Sequence, residues 1–548
     1  MAFIKVQNLK RSDDGAVING TAAVSVTEYD ASMKGRSRHK VRENLGKIVW
    51  LSEDKKDGIF LSPSRGLIEY SSVSDAFTTV VRTDKRVAGL DIFPEPEVHT
   101  VFGDVYLLLS FMKKNGILPV LRKSFPSDED YERLLCHLLH DILRNGSRIS
   151  CDDFIMKSFV SHIFRDVPVS SLDSDTAYFT MMGDDKVKRA FFRNYVESLR
   201  KIYPGFGKGC YVDSTPLPND IRNNPFNALC SHGITSTSNQ TRLALVLDEA
   251  TGLPVWYTII PGNVLDFNTI SNVMLEVNET IDIQIISLVL DAGYVSQELI
   301  NMFNIDSDPV MDENGSYVKQ TMIARMPAKN GYPYKQLYED NKKLIYNAKY
   351  SFIRESHTYF GIRREVEIFG KREYAYVYVD KDNALELSRE NRLKHPDEYE
   401  KLSMKDKNWY AVKFGYFVLV SNKEETPAEM LDEYFSRTHI ETVFKAGKEY
   451  LHILPLKKWT TATVMGKILS DMISLIIYLS LRKGLESTGI AIPRLLGQTQ
   501  SLICLTKSDG TVLIDTPNKQ VKSIYKEMKI KVPSSLTIKG FTSDVLSC

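Results

Sequence analysis

One short stretch places four polar residues of different chemistry on a single face of a helix. Residues Tyr434–Lys448 read YFSRTHIETVFKAGK, without proline and with glycine only near the end, which predicts about four helical turns. At about 100° per residue, Tyr434, Arg437, Glu441 and Lys448 fall at about 0°, 300°, 340° and 320°. One interpretation is an exposed face of paired charges. The other is a carboxylate that binds a cation, surrounded by an arginine, a lysine and a phenol that bind a phosphate.

Two aspartates follow strand-like stretches that precede this helix. Cys210–Asp213 is a short strand pattern that ends in a carboxylate, and Pro216 and Pro218 are expected to stop the strand. Ile285–Leu290 is almost continuously apolar, as expected for a strand buried on both faces, and Asp291 follows it. An aspartate at a strand end is usually a turn residue, so neither aspartate identifies a site by itself.

The elements around these aspartates alternate between strands and helices. After the first strand we predict a hairpin, a helix, the strand before Asp291, a second helix and a third strand, at Leu243–Leu247 with Val255–Ile260, Phe267–Asn278, Ile285–Leu290, Gln297–Phe303 and Thr321–Met326. This is the element order of an RNase H-like fold. In that fold an acid on the first strand, an acid after the fourth and an acid on a later helix meet at one sheet edge. Asp213, Asp291 and Glu441 occupy those three places.

The interval between the last two acids is too long for one strand and one helix. Asp291 and Glu441 are 441 − 291 = 150 residues apart. We therefore predict a mostly β insertion at 327–425, with strand patterns in Ser351–Phe369, Tyr374–Val379 and Trp409–Val420. The charged residues of Asp382–Lys407 predict a solvated helical excursion within it.

The spacing Y-x2-R-x3-E-x6-K of the helix resembles the signature of the insertion-sequence four family of DDE transposases, and all four positions match. The blocks DST at Asp213, PGN-x2-D at Pro261–Asp266 and D-x-G-Y at Asp291–Tyr294 are similar to blocks of that family. The resemblance extends from about residue 205 to about residue 485. Within the second block, Gly262 and Asn263 are interpreted as turn residues and Asp266 as a helix cap.

This resemblance implies a cut-and-paste transposase of an insertion sequence, which acts as a homodimer on double-stranded DNA at terminal inverted repeats and target DNA. It implies that Glu441 is the last catalytic acid and that Tyr434, Arg437 and Lys448 contact the transposon end. It also implies second-strand cleavage through a hairpin on that end, and a prokaryotic, cytoplasmic and nucleoid-associated protein. An aromatic residue of the insertion stacks on a flipped base in relatives. Trp409 or Tyr410 could do so here, and a role in core packing is the alternative.

The three acids suit metal-dependent phosphodiester chemistry. Two divalent ions about 3.5–4 Å apart stabilise the attacking and leaving oxygens in such reactions. Three carboxylates without a Cys/His cluster fit two ions of Mg²⁺ or Mn²⁺ rather than zinc. Our hypothesis is that Asp213 bridges the two ions while Asp291 and Glu441 each hold one. Arg437 suits bidentate phosphate binding, Lys448 a point-charge contact and Tyr434 a hydrogen bond.

The predicted fold class is α/β: an RNase H-like catalytic core with a mostly β insertion, preceded by an α+β N-terminal DNA-binding region. The predicted divisions are 1–100 (β-rich and basic), 101–205 (helical), 206–326 and 426–485 (core), 327–425 (insertion) and 486–548 (C-terminal accessory region). Basic residues cluster in KGRSRHKVRENLGK at 34–47 and in Lys186–Lys201. Each cluster suits either a phosphate-binding surface or a solvated charged face, on an edge strand and a helix respectively.

Composition limits the remaining possibilities. The net charge of 548 residues is +1, so nucleic-acid binding must depend on local basic patches. The six cysteines form no C-x2-C pair and are expected to be reduced thiols. The N-terminus lacks a signal core, and Val464–Leu481 contains Lys467 and Asp471, so a buried helix is favoured over a membrane span.

Two other functions remain open from the sequence. One is a metal-dependent nuclease of the same fold that hydrolyses DNA without joining strands. The other is a non-catalytic DNA-binding protein derived from a transposase, which the presence of all three acids disfavours.

Overall fold

The computed structural model describes residues 2–13, 15, 17–30, 36–63, 65–80, 84–87, 98–144, 150–164, 176–229, 238–264, 270–283, 287–311, 316–507 and 511–537. Backbone contacts divide the chain into two compact units. One consists of Met1–Val98 with Thr506–Gly510, and the other of His99–Leu505 with Thr511–Cys548. Both helices and sheets are extensive, which confirms the predicted mixed α/β class.

Six antiparallel strands in sequential order form the sheet of the first unit. They are β1 (Ala2–Arg11), β2 (Val17–Asp30), β3 (Arg36–Leu51), β4 (Asp57–Ser62), β5 (Gly66–Ser71) and β6 (Ala76–Thr79). Their core includes the buried side chains of Ile4, Val24, Ile48, Phe60 and Tyr70. The longest of these strands are β2 and β3, at 14 and 16 residues.

The basic stretch of this unit, from Arg36 to Lys47, lies on β3. It pairs with β2, and from Lys47 onward β3 pairs with β4 as well. Lys40 lies 3.8 Å from the carboxylate of Glu28, and Arg42 forms an ion pair with Asp75. Neighbouring acids thus offset part of the positive charge, and DNA binding by this surface stays a prediction.

The second unit opens with a strand and seven helices. These are β7 (Val98–Val101), α1 (Gly103–Lys114), α2 (Ile117–Ser124), α3 (Asp128–Arg144), α4 (Cys151–Lys157), α5 (Val160–Ile163), α6 (Thr176–Met182) and α7 (Asp185–Ile202). The Ser127 hydroxyl accepts a hydrogen bond from the Asp130 backbone N–H and caps the start of α3. The apolar stripe of α3 is buried at Leu134, Leu135, Leu138, Leu139 and Ile142.

A ten-stranded sheet forms the centre of this unit. The strands of this part of the chain are β8 (Gly209–Pro218), β9 (Ala228–Leu229), β10 (Asn239–Asp248), β11 (Pro254–Pro261), β12 (Ser287–Leu290), β13 (Val310–Met311), β14 (Tyr317–Val318), β15 (Thr321–Arg325), β16 (Ser351–Arg354), β17 (His357–Ile368), β18 (Lys371–Asp380) and β19 (Tyr416–Ser421). The order is β11-β10-β8-β12-β15-β19-β18-β17-β16, and β9 also pairs with β10. β12 runs parallel to β8 and β15, while β10 is antiparallel to β8 and β11.

Helices connect and cover these strands. They are α8 (Ile270–Ile281), α9 (Gln297–Met302), α10 (Tyr334–Ile345), α11 (Lys381–Lys394), α12 (Pro396–Glu400), α13 (Met404–Tyr410), α14 (Pro427–Ser436), α15 (Thr438–Lys445) and α16 (Thr461–Leu485). Short 3₁₀ turns occur at 292–294, 348–350 and 486–488, and a π-helical turn occurs at 446–450. The predicted hairpin, helices and strands between 243 and 326 are present, with ends that differ by a few residues.

The prediction that β8 stops at Asp213 is wrong, since the strand continues through Pro218. Pro216 and Pro218 lie opposite Arg242 and Gln240 of β10, whereas the pairing of β8 with β12 ends at Tyr211. Because the two prolines are two residues apart, their missing N–H groups lie on the same side of the strand. A strand can contain proline where no neighbouring strand accepts a hydrogen bond from that position. The side of β8 beyond the end of its pairing with β12 meets this condition.

The basic residues of α7 make contacts inside the protein. The Lys188 ammonium lies over the rings of Trp256 and Tyr257, at 4.1 and 4.7 Å from their centroids. The guanidinium groups of Arg193 and Arg200 donate to backbone carbonyls at the end of α8. Such contacts satisfy terminal carbonyls and the negative end of the helix dipole. Lys188 is thus held against two aromatic rings, whereas Arg193 is exposed, and DNA binding by this helix stays a prediction.

The predicted insertion continues the central sheet. β19 is antiparallel to β15, and β18, β17 and β16 follow in order. The charged excursion is helical, as predicted, but the strand expected at Trp409–Val420 is wrong over its first half. Trp409 and Tyr410 end the helix α13 instead. The Trp409 ring packs 4.9 Å from the Tyr338 ring, which favours the core-packing alternative for it.

Helix α16 is buried, as the sequence predicts for Val464–Leu481. Within the described ranges, its segment Thr461–Thr488 is the one helix long and apolar enough to cross a bilayer, and 89% of the most apolar window is buried in the protein. It lies against α6 at very short range: a Cβ added to Gly466 would lie 1.8 Å from the Phe179 carbonyl oxygen. Glycine allows this close approach of the two backbones.

The C-terminal region is built onto the start of α1. It contains α17 (Ile492–Thr499), β20 (Ile503–Thr506), β21 (Thr511–Ile514), α18 (Lys519–Glu527) and β22 (Ser535–Thr537), and its strands form the sheet β22-β21-β20-β7. The Tyr525 hydroxyl donates to the Gly103 carbonyl at 2.6 Å, and the Gly103 N–H donates to the Leu502 carbonyl at 3.0 Å. This region therefore packs with the first helices of the unit, although it is distant in sequence.

Glu373 on β18 is fully buried, and neither carboxylate oxygen has a hydrogen-bond partner. Burial raises its pKa from 4.5 to about 9, against a smaller opposing effect of Lys319. The folded state therefore binds one more proton than the unfolded state between these values, and stability falls as the pH rises through that window. Between pH 5 and 8, the free energy of unfolding of Glu373→Gln should therefore fall by about 2–3 kcal/mol less than that of the wild type.

Urea unfolding at several pH values would measure this effect. The exposed Glu367 on the neighbouring strand provides a matched control, and Glu367→Gln is expected to keep the wild-type pH slope. An unchanged slope in Glu373→Gln would show that Glu373 is not the group responsible.

Candidate active site

Two parallel strands place Asp213 and Asp291 side by side. β12 pairs with β8 in the register Ser287 to Gly209 through Val289 to Tyr211, a constant offset of 289 − 211 = 78. Asp291 and Asp213 have the same offset, 291 − 213 = 78, and each lies two residues beyond the last pair. Neighbouring strands are about 4.8 Å apart, and residues in register point to the same face. The two carboxylates therefore meet at the edge where β12 ends.

The third acid, Glu441, lies on a helical segment that is less regular than predicted. Helix α14 begins with Pro427 after a capping box formed by Thr426 and Glu429, which explains its start seven residues before Tyr434. The helical hydrogen bonding is interrupted at Arg437, and α15 carries Glu441. A π-helical turn at 446–450 then carries Lys448. The predicted uniform four-turn helix is therefore wrong in detail, although all four residues lie on helical backbone.

Arg437 lies among the three acids. Its Nη1 is 3.0 Å from Asp213 Oδ2, and its Nη2 is 3.9 Å from Asp291 Oδ1 and 3.6 Å from Glu441 Oε1. Its side chain is only 11% exposed. Burial opposes its charge, but Tyr434 and the three acids outweigh burial and raise the pKa of the guanidinium. One buried cation thus offsets the mutual repulsion of three carboxylates.

Tyr434 and Lys448 extend this cluster on either side. The buried Tyr434 hydroxyl donates to Asp291 Oδ1 at 3.4 Å, and burial raises its pKa. The Lys448 ammonium donates to the Thr215 hydroxyl at 2.6 Å, and partial burial lowers its pKa. Thr215 is two residues after Asp213, so both point to the same face of β8. All six residues predicted from the sequence therefore line one continuous surface.

The three acids differ in their access to solvent. Their side chains are 20% exposed at Asp213, 46% at Asp291 and 61% at Glu441. Asp213 is the innermost acid, and the other two open outward to solvent.

Some site residues were missed from the sequence. The Tyr211 hydroxyl donates to Ser436 Oγ at 2.8 Å and ties β8 to the end of α14, directly before Arg437. The Arg242 guanidinium donates to the Ser214 hydroxyl at 2.5 Å. Ser214 and Thr215 belong to the DST block that carries the resemblance, but no pattern pointed to Tyr211 or Ser436.

The second block has a structural role at Gly262. A Cβ added there would lie 2.1 Å from the Gln240 carbonyl oxygen, so a side chain is excluded by backbone. The Val264 N–H donates to the Pro261 carbonyl and closes a turn. Both facts agree with the interpretation of Gly262 and Asn263 as turn residues. Asp266, the predicted helix cap, lies outside the described residues.

The donor set suits a hard divalent cation, but it is not arranged as a metal cage in this structure. Carboxylate oxygens are the ligands that Mg²⁺ and Mn²⁺ prefer. Over the described ranges, no group of three or more His, Cys, Asp or Glu residues is close enough to hold a metal ion. The guanidinium of Arg437 lies between the acids.

Residues 205–476 match the family model described as the transposase DDE domain. The match supports a DDE transposase. The six residues predicted from the sequence, Asp213, Asp291, Tyr434, Arg437, Glu441 and Lys448, lie within the matched segment. No curated protein matches the chain.

One solved structure similar to this chain is the cryo-EM structure of a piggyBac transposase synaptic complex with hairpin DNA. It aligns with 78% of this chain and 81% of that chain, at 11% identity and a TM-score of 0.34. A TM-score this low does not establish a shared fold.

We expect the charge balance at Arg437 to be measurable as stability. Arg437→Gln leaves three carboxylates without their shared cation, and we expect it to lower the free energy of unfolding by about 1–3 kcal/mol in a buffer that contains a chelator. Urea unfolding would measure the change. Arg372→Gln removes a solvent-exposed ion pair with Asp306 and should cost about 0.5 kcal/mol or less. Equal losses in the two variants would contradict the role of Arg437.

Proposed function

We propose that this chain is the cut-and-paste transposase of an insertion sequence, a member of the insertion-sequence four family. The observation that carries the proposal is the convergence of Asp213, Asp291 and Glu441 on Arg437, within the segment that matches the transposase DDE domain. The family branch is supported by the complete Y-x2-R-x3-E-x6-K spacing.

The proposed core is RNase H-like. The strand order β11-β10-β8-β12-β15, with a hairpin on one side of β8 and parallel strands on the other, supports this proposal. The helix with Glu441 follows the insertion and packs so that its acid faces the other two. The proposed partners are the terminal inverted repeats and a target duplex, bound by a homodimer in the cytoplasm of a prokaryote.

In the proposed mechanism, Asp213, Asp291 and Glu441 would hold divalent metal ions. Such ions supply charge stabilisation and an activated water for phosphodiester hydrolysis and strand transfer. Asp213 is fixed by the pairing of β8 and by the Ser214 N–H, which donates to Asp213 Oδ1 at 2.8 Å. The outward-facing Asp291 and Glu441 adjust more easily to the substrate.

The cationic residues of the site would bind the DNA backbone. Arg437 presents a planar fork of donors that suits a phosphate as well as a carboxylate, so a phosphate competes with the three acids for it. Partial burial destabilises the charge of Lys448, and the Thr215 hydroxyl is the hydrogen-bond partner of its ammonium. A phosphate beside Thr215 would stabilise that charge. Tyr434 orients Asp291 through its hydroxyl.

The cleavage test uses labelled duplexes that carry the DNA flanking the coding sequence, with Mg²⁺. We expect the wild-type protein to nick these ends and to join them to a target duplex. Asp291→Asn and Glu441→Gln should each lose at least about 100-fold in rate, because each removes a charged ligand. Glu449→Gln makes the same change at an exposed carboxylate on the following turn and should cleave normally.

Each alternative function predicts a different result. Hydrolysis without joined product would indicate a nuclease, and binding of the ends without any cleavage would indicate a non-catalytic DNA-binding protein. Full cleavage by Glu441→Gln would exclude the proposed assignment of Glu441.

Competition between Arg437 and a metal ion gives a second test that does not depend on activity. The attraction between Arg437 and each acid at about 4 Å amounts to a few kcal/mol near a protein surface, and a metal ion must replace it. Arg437→Gln removes this competition and should bind Mn²⁺ roughly tenfold or more tightly than wild type. Electron paramagnetic resonance of free Mn²⁺ would measure the affinity. Asp213→Asn should weaken binding in both backgrounds. Equal Mn²⁺ affinity of wild type and Arg437→Gln would contradict the competition.

A further inference from the structure

Trp459 exposes a large aromatic surface to solvent. Its side chain is 84% exposed, more than any other large apolar side chain in the described part of the chain. By contrast, Trp256 is fully buried and Trp409 packs on Tyr338. A single exposed apolar side chain is common on protein surfaces, so a contact at Trp459 is inferred from the loop that holds it and from the charges beside it.

The loop that carries Trp459 is firmly held. It joins the π-helical turn after α15 to α16, and Leu451, Ile453 and Leu456 anchor it in the core. The buried Lys467 ammonium donates to the Ile453 carbonyl at 3.0 Å. Lys457 adopts φ 47°, a left-handed backbone conformation that a non-glycine residue keeps only when its surroundings fix it. The indole is therefore presented from a fixed position.

This loop lies at the far end of the surface that holds the acids. Along β8, Asp213 and Thr215 point to the Arg437 and Lys448 side, and the strand then leads into the turn that contains Asn223. The Thr461 hydroxyl donates to the Asn223 carbonyl at 2.9 Å, two residues after Trp459. A strand rises about 3.3 Å per residue, so the loop lies roughly 20 Å from Asp213.

The charges beside Trp459 favour a polyanion. Lys457 is exposed, and the Lys458 ammonium lies 3.8 Å from the centroid of the Phe179 ring. An exposed aromatic ring next to an exposed lysine, here Trp459 and Lys457, is a combination by which proteins bind unpaired nucleotides, through base stacking and phosphate contacts.

On the basis of the proposed function, we propose that Trp459 and Lys457 form a second DNA contact of this chain. The indole of Trp459 stacks on the base of an unpaired nucleotide in the bound DNA, and Lys457 contacts the adjoining phosphate. The surface of the acids and this contact thus bind one DNA molecule, with its distorted part held at the loop.

The test compares binding of the full-length protein to a labelled duplex and to the same duplex with an unpaired bulge, in a buffer without divalent ions. Wild type should bind the bulged duplex more tightly. Trp459→Ala should lose about tenfold in affinity for the bulged duplex and little for the paired one, whereas Trp459→Phe should keep the preference. Lys457→Ala should weaken both and reduce the slope of log affinity against log salt by about 1.

Tyr317 provides the matched control. It is 71% exposed on β14, before the start of β15, and therefore lies at the sheet edge opposite Asp291. Tyr317→Ala should bind both duplexes as wild type does. Equal weakening of both duplexes by Trp459→Ala, or no weakening, would overturn the stacking contact while leaving the proposed function intact. Failure of wild type to bind either duplex would overturn both proposals.

Discussion

Three carboxylates share one guanidinium at the edge of the central sheet, and the surrounding structure keeps them in place. Asp213 and Asp291 are close because β8 and β12 are parallel and in register. Glu441 and Arg437 reach them from α15 and from the junction between α14 and α15. Without Arg437, the three negative charges would repel one another across a partly buried surface. The same charges make the place attractive to divalent cations, and an anion must compete with them for the arginine.

The sequence predicted the site better than the elements that form it. The stripe of four residues on one helix follows from the helical period, and the two aspartates follow from strand ends in a known order. The contact of Arg437 with Asp213 could not be predicted, because it depends on tertiary packing between elements 224 residues apart. The break at Arg437 was also invisible, since YFSRTHIETVFK contains no residue that interrupts a helix.

The errors have identifiable physical causes. Pro216 and Pro218 led us to predict that β8 ends early. They fit in the strand because the pairing with β12 has already ended there, so no N–H group is needed on that side. The aromatic residues around Trp409 favoured a strand, yet the Trp409 ring packs against Tyr338 and Tyr416 from a helix. The sequence also could not show that α8 ends where Arg193 and Arg200 of α7 can bind its carbonyls. In these elements, tertiary contacts outweigh the secondary-structure propensity of the local sequence.

The insertion is joined to the core by strand pairing as well as by chain connections. Its last strand, β19, hydrogen-bonds along β15, and the other three strands extend the sheet from there. A shortened version of the chain that lacked 327–425 would leave the backbone of β15 as an uncovered edge. Open edges of this kind pair with other chains and promote aggregation. Evolution or engineering can therefore vary the outer strands and helices of the insertion more freely than β19, which shields the sheet that positions the acids.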